Sequence, residues 1–357
     1  MLKIASLKKF VTDQMAIDLG TASTIIAVKG RGIVLDEPSL VAVNEIKNEI
    51  VAYGSEAAEI AGREGRDVVV KAPLIGGVVA DFERTKQMLA HFVRKAKSGG
   101  ANISISAVMS QPSDVTHVEQ RALLNAAEDA GIRKIYMMEE GLAAAFGAGI
   151  QPNDKRASAI VDIGAGTTNI AVVAKGTIVQ SVSERFGSNE INAALATHLR
   201  RHRGIQVGEE TIENLKTSFV STFLPDDISR ETEVRGRDVQ TGSPAAVQVT
   251  VGELYPVVEA VVRRIAMLTK DTLTELRPEV AADIYDRGLI LTGGGSLLEG
   301  LDRYMRSFVN LAVTVADEPR YATVNGLVKM FDDEDLLQRV TRNELGVLQN
   351  AEVPFEA

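Results

Sequence analysis

The chain has 357 residues, 45% of them hydrophobic, 24% charged and 4% aromatic, with a formal net charge of −9. That length exceeds what one hydrophobic core usually serves, so two domains or one bilobed fold is expected. The acidic balance argues against a nucleic-acid partner, which needs a basic surface, and the lack of cysteine excludes disulfides, thiolate metal sites and cysteine nucleophiles.

Residues 1–14, MLKIASLKKFVTDQ, lack the continuous apolar stretch of a secretion signal, and nowhere does the chain approach the roughly 18 apolar residues of a membrane-spanning helix. On a helical wheel Ile4, Leu7, Phe10 and Val11 share a face, with Leu2 ahead of them, while Lys8 and Lys9 lie away from it. This is the pattern of a short interfacial anchor on an anionic membrane, or of a leader packed on its own core.

Strands are predicted at Met15–Leu19 and Thr24–Val28, with further strand and turn from Val34 to Glu49. Met88, Leu89, Phe92 and Val93 give Thr85–Lys97 an amphipathic helical spacing. Ser104–Ser110 reads as a strand, and Thr116–Ala130 as a helix capped at Asp114 or Thr116 and closed by Gly131. Ile135–Met138 is a strand, and Gly141–Gly149 a helix of very small residues suited to tight packing. The second half repeats the scheme: strands Ala159–Ile163, Asn169–Lys175 and Thr177–Ser183, then helices Glu190–Arg201 and Thr211–Phe219. Strands near Glu231–Arg235 and Ala246–Val251, helix Val257–Leu276, strand Gly288–Leu291 and helix Ser296–Phe308 follow, with a charged helical tail from about Asp332. Alternating strands and helices predict an α/β fold.

Two stretches are copies of one another. Asp18, Gly20, Ser23 and Thr24 in AIDLGTASTIIAVKG align with Asp162, Gly164, Thr167 and Thr168 in VDIGAGTTNIAVVAKG. They lie a domain length apart, which implies a duplicated domain whose two lobes each bring the same loop. In each, an acid ends a strand, glycine lets the backbone turn and present N–H groups, and hydroxyls add donors. These are the parts of a phosphate cradle with a carboxylate placed beside a hydrated metal ion. Neither a GxxxxGK[ST] loop nor the third glycine of a dinucleotide fingerprint is present. A third glycine turn, LILTGGGSLLEG at 289–300, would let a base or ribose lie against bare backbone, making the ligand a nucleotide.

No Ser-His-Asp set can be assembled. His198 and His202 have i, i+4 spacing, but Arg200, Arg201 and Arg203 beside them read as a solvated face, not a zinc pair. A hydrolytic water would need an acceptor near the phosphate, and Glu139 and Glu140 stand between a strand and the small-residue helix.

The set IDLGTAST, EEGLAAAFGAG, VDIGAGTTNIAVV and LTGGGSLLEG, in this order, resembles the superfamily of actin, heat-shock chaperone and sugar-kinase ATPases. Connecting segments GIVLDEPSLVAV, GGVVADFERTKQMLAHF and EVRGRDVQTG resemble MreB-like bacterial actins in particular. The resemblance implies an actin-like ATPase fold of two duplicated RNase H-like lobes, with nucleotide in the cleft. Lobe one would span residues 15–150, with a small subdomain at about 36–72. Lobe two would span 151–335, with one at about 187–255, and a tail would follow at 336–357.

By position, the resemblance assigns Asp18, Gly20, Thr21 and Ala22 to the first phosphate loop and Asp162, Gly164, Ala165, Gly166 and Thr167 to the second. Asp18 and Asp162 would hold Mg²⁺ through waters, and Glu140 would orient the attacking water with Thr167 assisting. Glu213 and Lys216 would contact the nucleoside, and Gly293, Gly294 and Gly295 would form the adenosine turn. The sequence departs from the family at Gly141, where proline is usual, and at GAGTTN, where GGGTTE is usual; YATVNGLVKM lacks the expected glycine-rich ending. The segment SGGANISIS offers only Ile103 and Ile105 where an apolar membrane loop is expected, and reads better as strand. The function implied is a cytoskeletal ATPase that takes ATP and Mg²⁺ and polymerises with itself for cell shape. It would lie in the cytoplasm at the inner face of an anionic membrane, held by its N-terminal helix and by membrane-protein adaptors. Rival readings are a specialised bacterial actin organising an organelle such as a magnetosome chain, a soluble small-molecule kinase on the same fold, and a chaperone, which should carry a further substrate domain.

Overall fold

The structure, a computed structural model, describes residues 12–97, 104–224, 227–333 and 335–338. The anchor candidates Leu2, Ile4, Leu7, Phe10 and Val11 lie outside the described residues.

The duplication seen in the loops extends to two whole sheets. In the first lobe β1 (Thr12–Leu19), β2 (Ser23–Val28) and β3 (Gly32–Pro38) form an antiparallel meander. β4 (Ser104–Gln111) then pairs parallel to β1, and β5 (Lys134–Glu139) parallel to β4. In the second lobe β6 (Ser158–Ile163), β7 (Thr168–Ala174) and β8 (Thr177–Glu184) form the same meander. β9 (Leu289–Thr292) and β10 (Val313–Val315) extend it on the parallel side. The spatial orders, β3-β2-β1-β4-β5 and β8-β7-β6-β9-β10, are identical. β6, SAIVDI, is buried along its whole length, as a central strand covered on both faces must be.

Each lobe inserts a small subdomain at the same topological point, between its third and fourth strands. The first has a sheet of Glu49–Tyr53, Val41–Asn44 and Val68–Lys71 with helix Gly54–Ile60. The second has a sheet of Ile205–Gln206, Glu231–Asp238 and Pro244–Thr250, with helices Asn189–His202 and Glu209–Ser218.

Helix boundaries follow capping chemistry. The helix expected from Thr85 starts at Phe82, because the Asp81 side chain accepts from Arg84 N. His117–Asp129 opens on a reciprocal capping box of Thr116 and Glu119. The helix expected from Val257 begins at Val251, capped by Thr250, with Pro256 inside it; so near the N-terminus the ring removes one backbone bond without ending the helix. The helix expected over Ser296–Phe308 is divided into a 3-10 turn, Gly294–Leu297, and a helix, Leu301–Val309. Gly300 separates them at φ 80, where a Cβ would approach Phe223 Cβ to 2.7 Å.

Each lobe has its own core, and a third core joins them. Helix Glu140–Gly147 packs there against helix Ala322–Lys329 with almost no side chain between. A Cβ on Gly147 would lie 1.7 Å from Ala322 O, and one on Gly326 would lie 1.8 Å from Ala143 O. The small-residue run GLAAAFG is therefore a packing feature, and YATVNGLVKM supplies one glycine where the facing backbone requires it.

Candidate functional site

The two loops close the hairpins β1–β2 and β6–β7 with the same bond: Gly20 N donates to Ser23 O at 3.0 Å, and Gly164 N to Thr167 O at 2.8 Å. Both acids are supported alike by the neighbouring parallel strand. Ser110 Oγ on β4 donates to Asp18 Oδ1 at 2.8 Å, and Thr292 Oγ1 on β9 donates to Asp162 Oδ1 at 3.0 Å. Neither hydroxyl was anticipated. Their only sequence signal is a hydroxyl residue near the C-terminal end of an otherwise apolar strand.

The loops of the two lobes meet. A Cβ on Gly166 would fall 2.6 Å from Thr21 Oγ1, so glycine is what allows the contact. Thr21 Oγ1 also accepts from Gly77 N at 2.9 Å, and a Cβ on Gly77 would lie 2.8 Å from Thr167 Cγ2. The Gly76–Gly77 turn thus reaches from the first lobe to the second loop. Arg185, at the end of β8, crosses back: its guanidinium lies 2.9 Å from Glu119 Oε1 and 3.4 Å from Asp114 Oδ2. Ser39, fully buried, braces the first loop by donating from Oγ to Gly20 O at 2.7 Å and from N to Ala22 O at 3.0 Å. Ala22 itself is exposed, and Gly164, Ala165 and Gly166 are half-buried. Gly187 packs so closely under the second loop that a Cβ there would lie 2.6 Å from Ala165 O.

Glu140 opens its helix directly after β5 and is buried beside both aspartates. Burial, then the charges of Asp18 and Asp162, push its carboxyl well above the ordinary range, while a hydrogen bond from Asn169 opposes them. Asn169 Nδ2 donates to Glu140 Oε2 at 2.7 Å, and Asn169 Oδ1 accepts from Ser183 Oγ at 2.6 Å. Burial raises Asp18 to about 6 against the Ser110 bond. Burial and the Asp18 charge raise Asp162 to about 6. Three acids held at such cost around one cleft fit a site completed by a cation. Among the described residues no three His, Cys, Asp or Glu converge on a metal-sized point. The pair Asp18 and Asp162 suits a hard cation that keeps most of its waters.

The third glycine turn lies against the second loop. Gly293, at φ 77, sits where a Cβ would approach Ile163 O to 2.3 Å and Asp162 Oδ1 to 2.7 Å. Gly295 is equally tight against Ile163, whereas a Cβ on Gly294 would meet open space. Lys216 is buried and paired with Glu213 Oε2 at 2.8 Å, and Asn192 Nδ2 donates to the same oxygen at 2.7 Å.

The MreB/Mbl protein family pattern matches residues 12–339. The chain belongs to the MreB/Mbl family. It is 38% identical over 325 residues to the cell shape-determining protein Mbl of Bacillus subtilis (strain 168), covering 91% of this chain and 97% of that one. It is 36% identical over 338 residues to the cell shape-determining protein MreB of Escherichia coli (strain K12), covering 92% and 97%. Among solved structures, MreB 5 of Spiroplasma citri bound to AMPPNP superposes with a TM-score of 0.85 at 29% identity, over 92% of this chain and 98% of that one. This MreB-like bacterial actin therefore has the two-lobed actin-like α/β fold and belongs to an actin-like ATPase family.

Its departures from the family pattern have local causes. A Cβ on Gly141 would come 2.6 Å from Ala171 Cβ on β7, so the approach of β7 leaves no room for a proline ring. Asn169, where the resemblance implies a glutamate, supplies a neutral donor to Glu140.

Proposed function

We propose that this MreB-family protein binds Mg-ATP between its lobes, hydrolyses it, and uses the cycle to govern head-to-tail assembly into filaments. We place it in the cytoplasm at the inner membrane face. The observation that carries the reading is the meeting of two like loops, each with a hydroxyl-supported acid, around the buried Glu140. A relative of the same fold is known with AMPPNP bound, which supports a nucleotide in this cleft.

In this reading Gly20, Thr21 and Ala22 and, from the second lobe, Gly164, Ala165, Gly166 and Thr167 present backbone and hydroxyl donors to the phosphates. Asp18 and Asp162 hold Mg²⁺ through waters, and the ion supplies charge neutralisation at the phosphate oxygens. Glu140 orients the attacking water with help from Thr167, so the protein's work is positioning and electrostatics. Gly293, Gly294 and Gly295 form the face for the adenosine, and Glu213 and Lys216 contact its sugar. The segment carrying Leu2, Ile4, Leu7, Phe10 and Val11 serves as the membrane anchor, with adaptor proteins as further partners.

Sedimentation with Mg-ATP, Mg-ADP or no nucleotide tests the assembly. Mg-ATP should pellet the protein most, and Glu140→Ala should still pellet while releasing phosphate far more slowly. A protein that pellets in no nucleotide state across a range of concentrations is not a filament former. Liposome co-sedimentation of the full chain against one lacking residues 1–13 tests the anchor, and equal binding by the two would remove it.

A further inference from the structure

Asn169 occupies a row that the strand register builds across the second sheet. β9 places Thr292 beside Asp162, β6 pairs Asp162 with Asn169, and β7 pairs Asn169 with Ser183. Cross-strand partners share a face of the sheet, so these four polar side chains line up in one row. The first lobe has the corresponding row, in which Asp18 pairs with Ile25 and Ile25 with Asp36. Where the second lobe carries the amide, the first carries a buried isoleucine. The amide is thus not an inheritance from the duplicated scaffold, and the side chain it meets, Glu140, comes from the first lobe, directly after β5.

We propose that Asn169 is a positioning residue that aims the Glu140 carboxylate at the reacting water, and that Ser183 fixes the direction in which its amide points. The inference rests on the hydrolysis reading above. An amide has one acceptor oxygen and one donor nitrogen, and an ionised carboxylate only accepts. With Asn169 Oδ1 engaged by Ser183 Oγ at 2.6 Å, Nδ2 is directed at Glu140 Oε2, 2.7 Å away. Asn169 is 3% exposed and Glu140 8%, so water does not compete for either partner. In another rotamer Glu140 would forgo this donor, although the same amide also bonds Asp162. Among the described residues, Asn169 supplies the hydrogen bond to this carboxylate. Glu140 otherwise has the freedom of a long side chain at the first position of a helix, and hydrolysis needs one fixed geometry.

The test compares the full-length chain with Asn169→Ala, Ser183→Ala and the double variant. Phosphate release at saturating Mg-ATP gives kcat, and titration with a fluorescent ATP analogue gives affinity. Asn169→Ala should lower kcat by about 10- to 100-fold, the range set by mispositioning one catalytic group, with affinity held within about threefold. Ser183→Ala should lower kcat less, and the double variant should match Asn169→Ala, because Ser183 acts only through Asn169. Wild-type turnover in Asn169→Ala would overturn the inference, as would affinity falling in parallel with kcat, which marks a role in building the loop. Additive losses in the double variant would overturn the assignment of Ser183. A wild-type chain that binds nucleotide and releases no phosphate would overturn the hydrolysis reading, and this inference with it.

Discussion

Replacing Asp162 with asparagine should stabilise the protein when nucleotide and metal are absent. Burial and the neighbouring Asp18 charge raise the Asp162 carboxyl from 3.8 to about 6. Each pKa unit corresponds to 1.36 kcal/mol, so the charged form costs about 3 kcal/mol at neutral pH, as an order of magnitude. Asp162 is 6% exposed, so solvent screening removes little of this. The sign follows from proton binding. The folded carboxyl titrates above the unfolded one, so the folded state holds the extra proton as pH rises from 3.8, and stability falls through the window up to about 6 and stays low above it. Asp162→Asn keeps the shape and an acceptor for Thr292 Oγ1 while removing the charge. Thermal unfolding in chelator should therefore show no advantage for the variant near pH 4 and one of about 2–3 kcal/mol by pH 7, a rise of a few degrees in Tm. Mg-ATP should then raise the Tm of the wild type by mass action and that of the variant much less. A variant no more stable than wild type at pH 7 in chelator would refute the reasoning.

Other substitutions probe the parts that hold the lobes and loops. Gly326→Ala should cost about 3 kcal/mol or more by urea unfolding, because its Cβ would meet Ala143 O at 1.8 Å and the two helices must separate; a loss below about 1 kcal/mol would mean that they readjust cheaply. Ser39→Ala should cost about 1–3 kcal/mol by removing a buried donor to Gly20 O, and should weaken nucleotide binding as the first loop loosens; unchanged affinity in a titration would place Ser39 outside the site. Arg185→Ala should lower stability by about 1 kcal/mol, as a half-exposed pair allows. The Arg185 guanidinium holds Glu119 down at about 2 from 4.5, so the pair's contribution is present above pH 4.5 and lost as pH falls toward 2. A wild-type minus variant difference that vanished between pH 5 and 8 in unfolding scans would contradict the pairing.

What could be read from the sequence was set by how local each feature is. The loops were legible because a strand-ending acid, a glycine turn and hydroxyls lie within seven residues of one another in each copy, as Asp18–Thr24 and Asp162–Thr168 show. The repeat gave the phosphate cradle, the glycine turn at 293–295 gave the nucleotide, and Thr116 was one of the two caps expected for its helix. The supports were not legible. Ser39, Ser110, Ser183 and Thr292 are ordinary hydroxyls; Ser39 meets Gly20 O from the bend after β3, and only strand register brings the other three to their partners. A one-residue slip would turn any of those three to the other face of its sheet. Gly76 and Gly77 likewise carry no local sign of their contacts, because their packing on Arg185 and Thr167 depends on how the lobes close.

Glu140 joins the two halves of this contrast. Its place at a strand-to-helix junction is local and was legible, but its hydrogen-bond partner Asn169 is brought to it by the fold. At position 169 a glutamate would put a fourth carboxyl beside Asp18, Asp162 and Glu140, each of which already titrates high. The amide avoids that added charge and donates to Glu140, an interaction opposing the burial and like charge that raise its pKa. The first lobe needs no such device, because no third acid enters its row and Ile25 can fill the place as core. Duplication thus supplied two equivalent acid-and-hydroxyl cradles, Asp18 with Ser110 and Asp162 with Thr292, and the difference between Ile25 and Asn169 assigns the support of Glu140 to the second lobe alone.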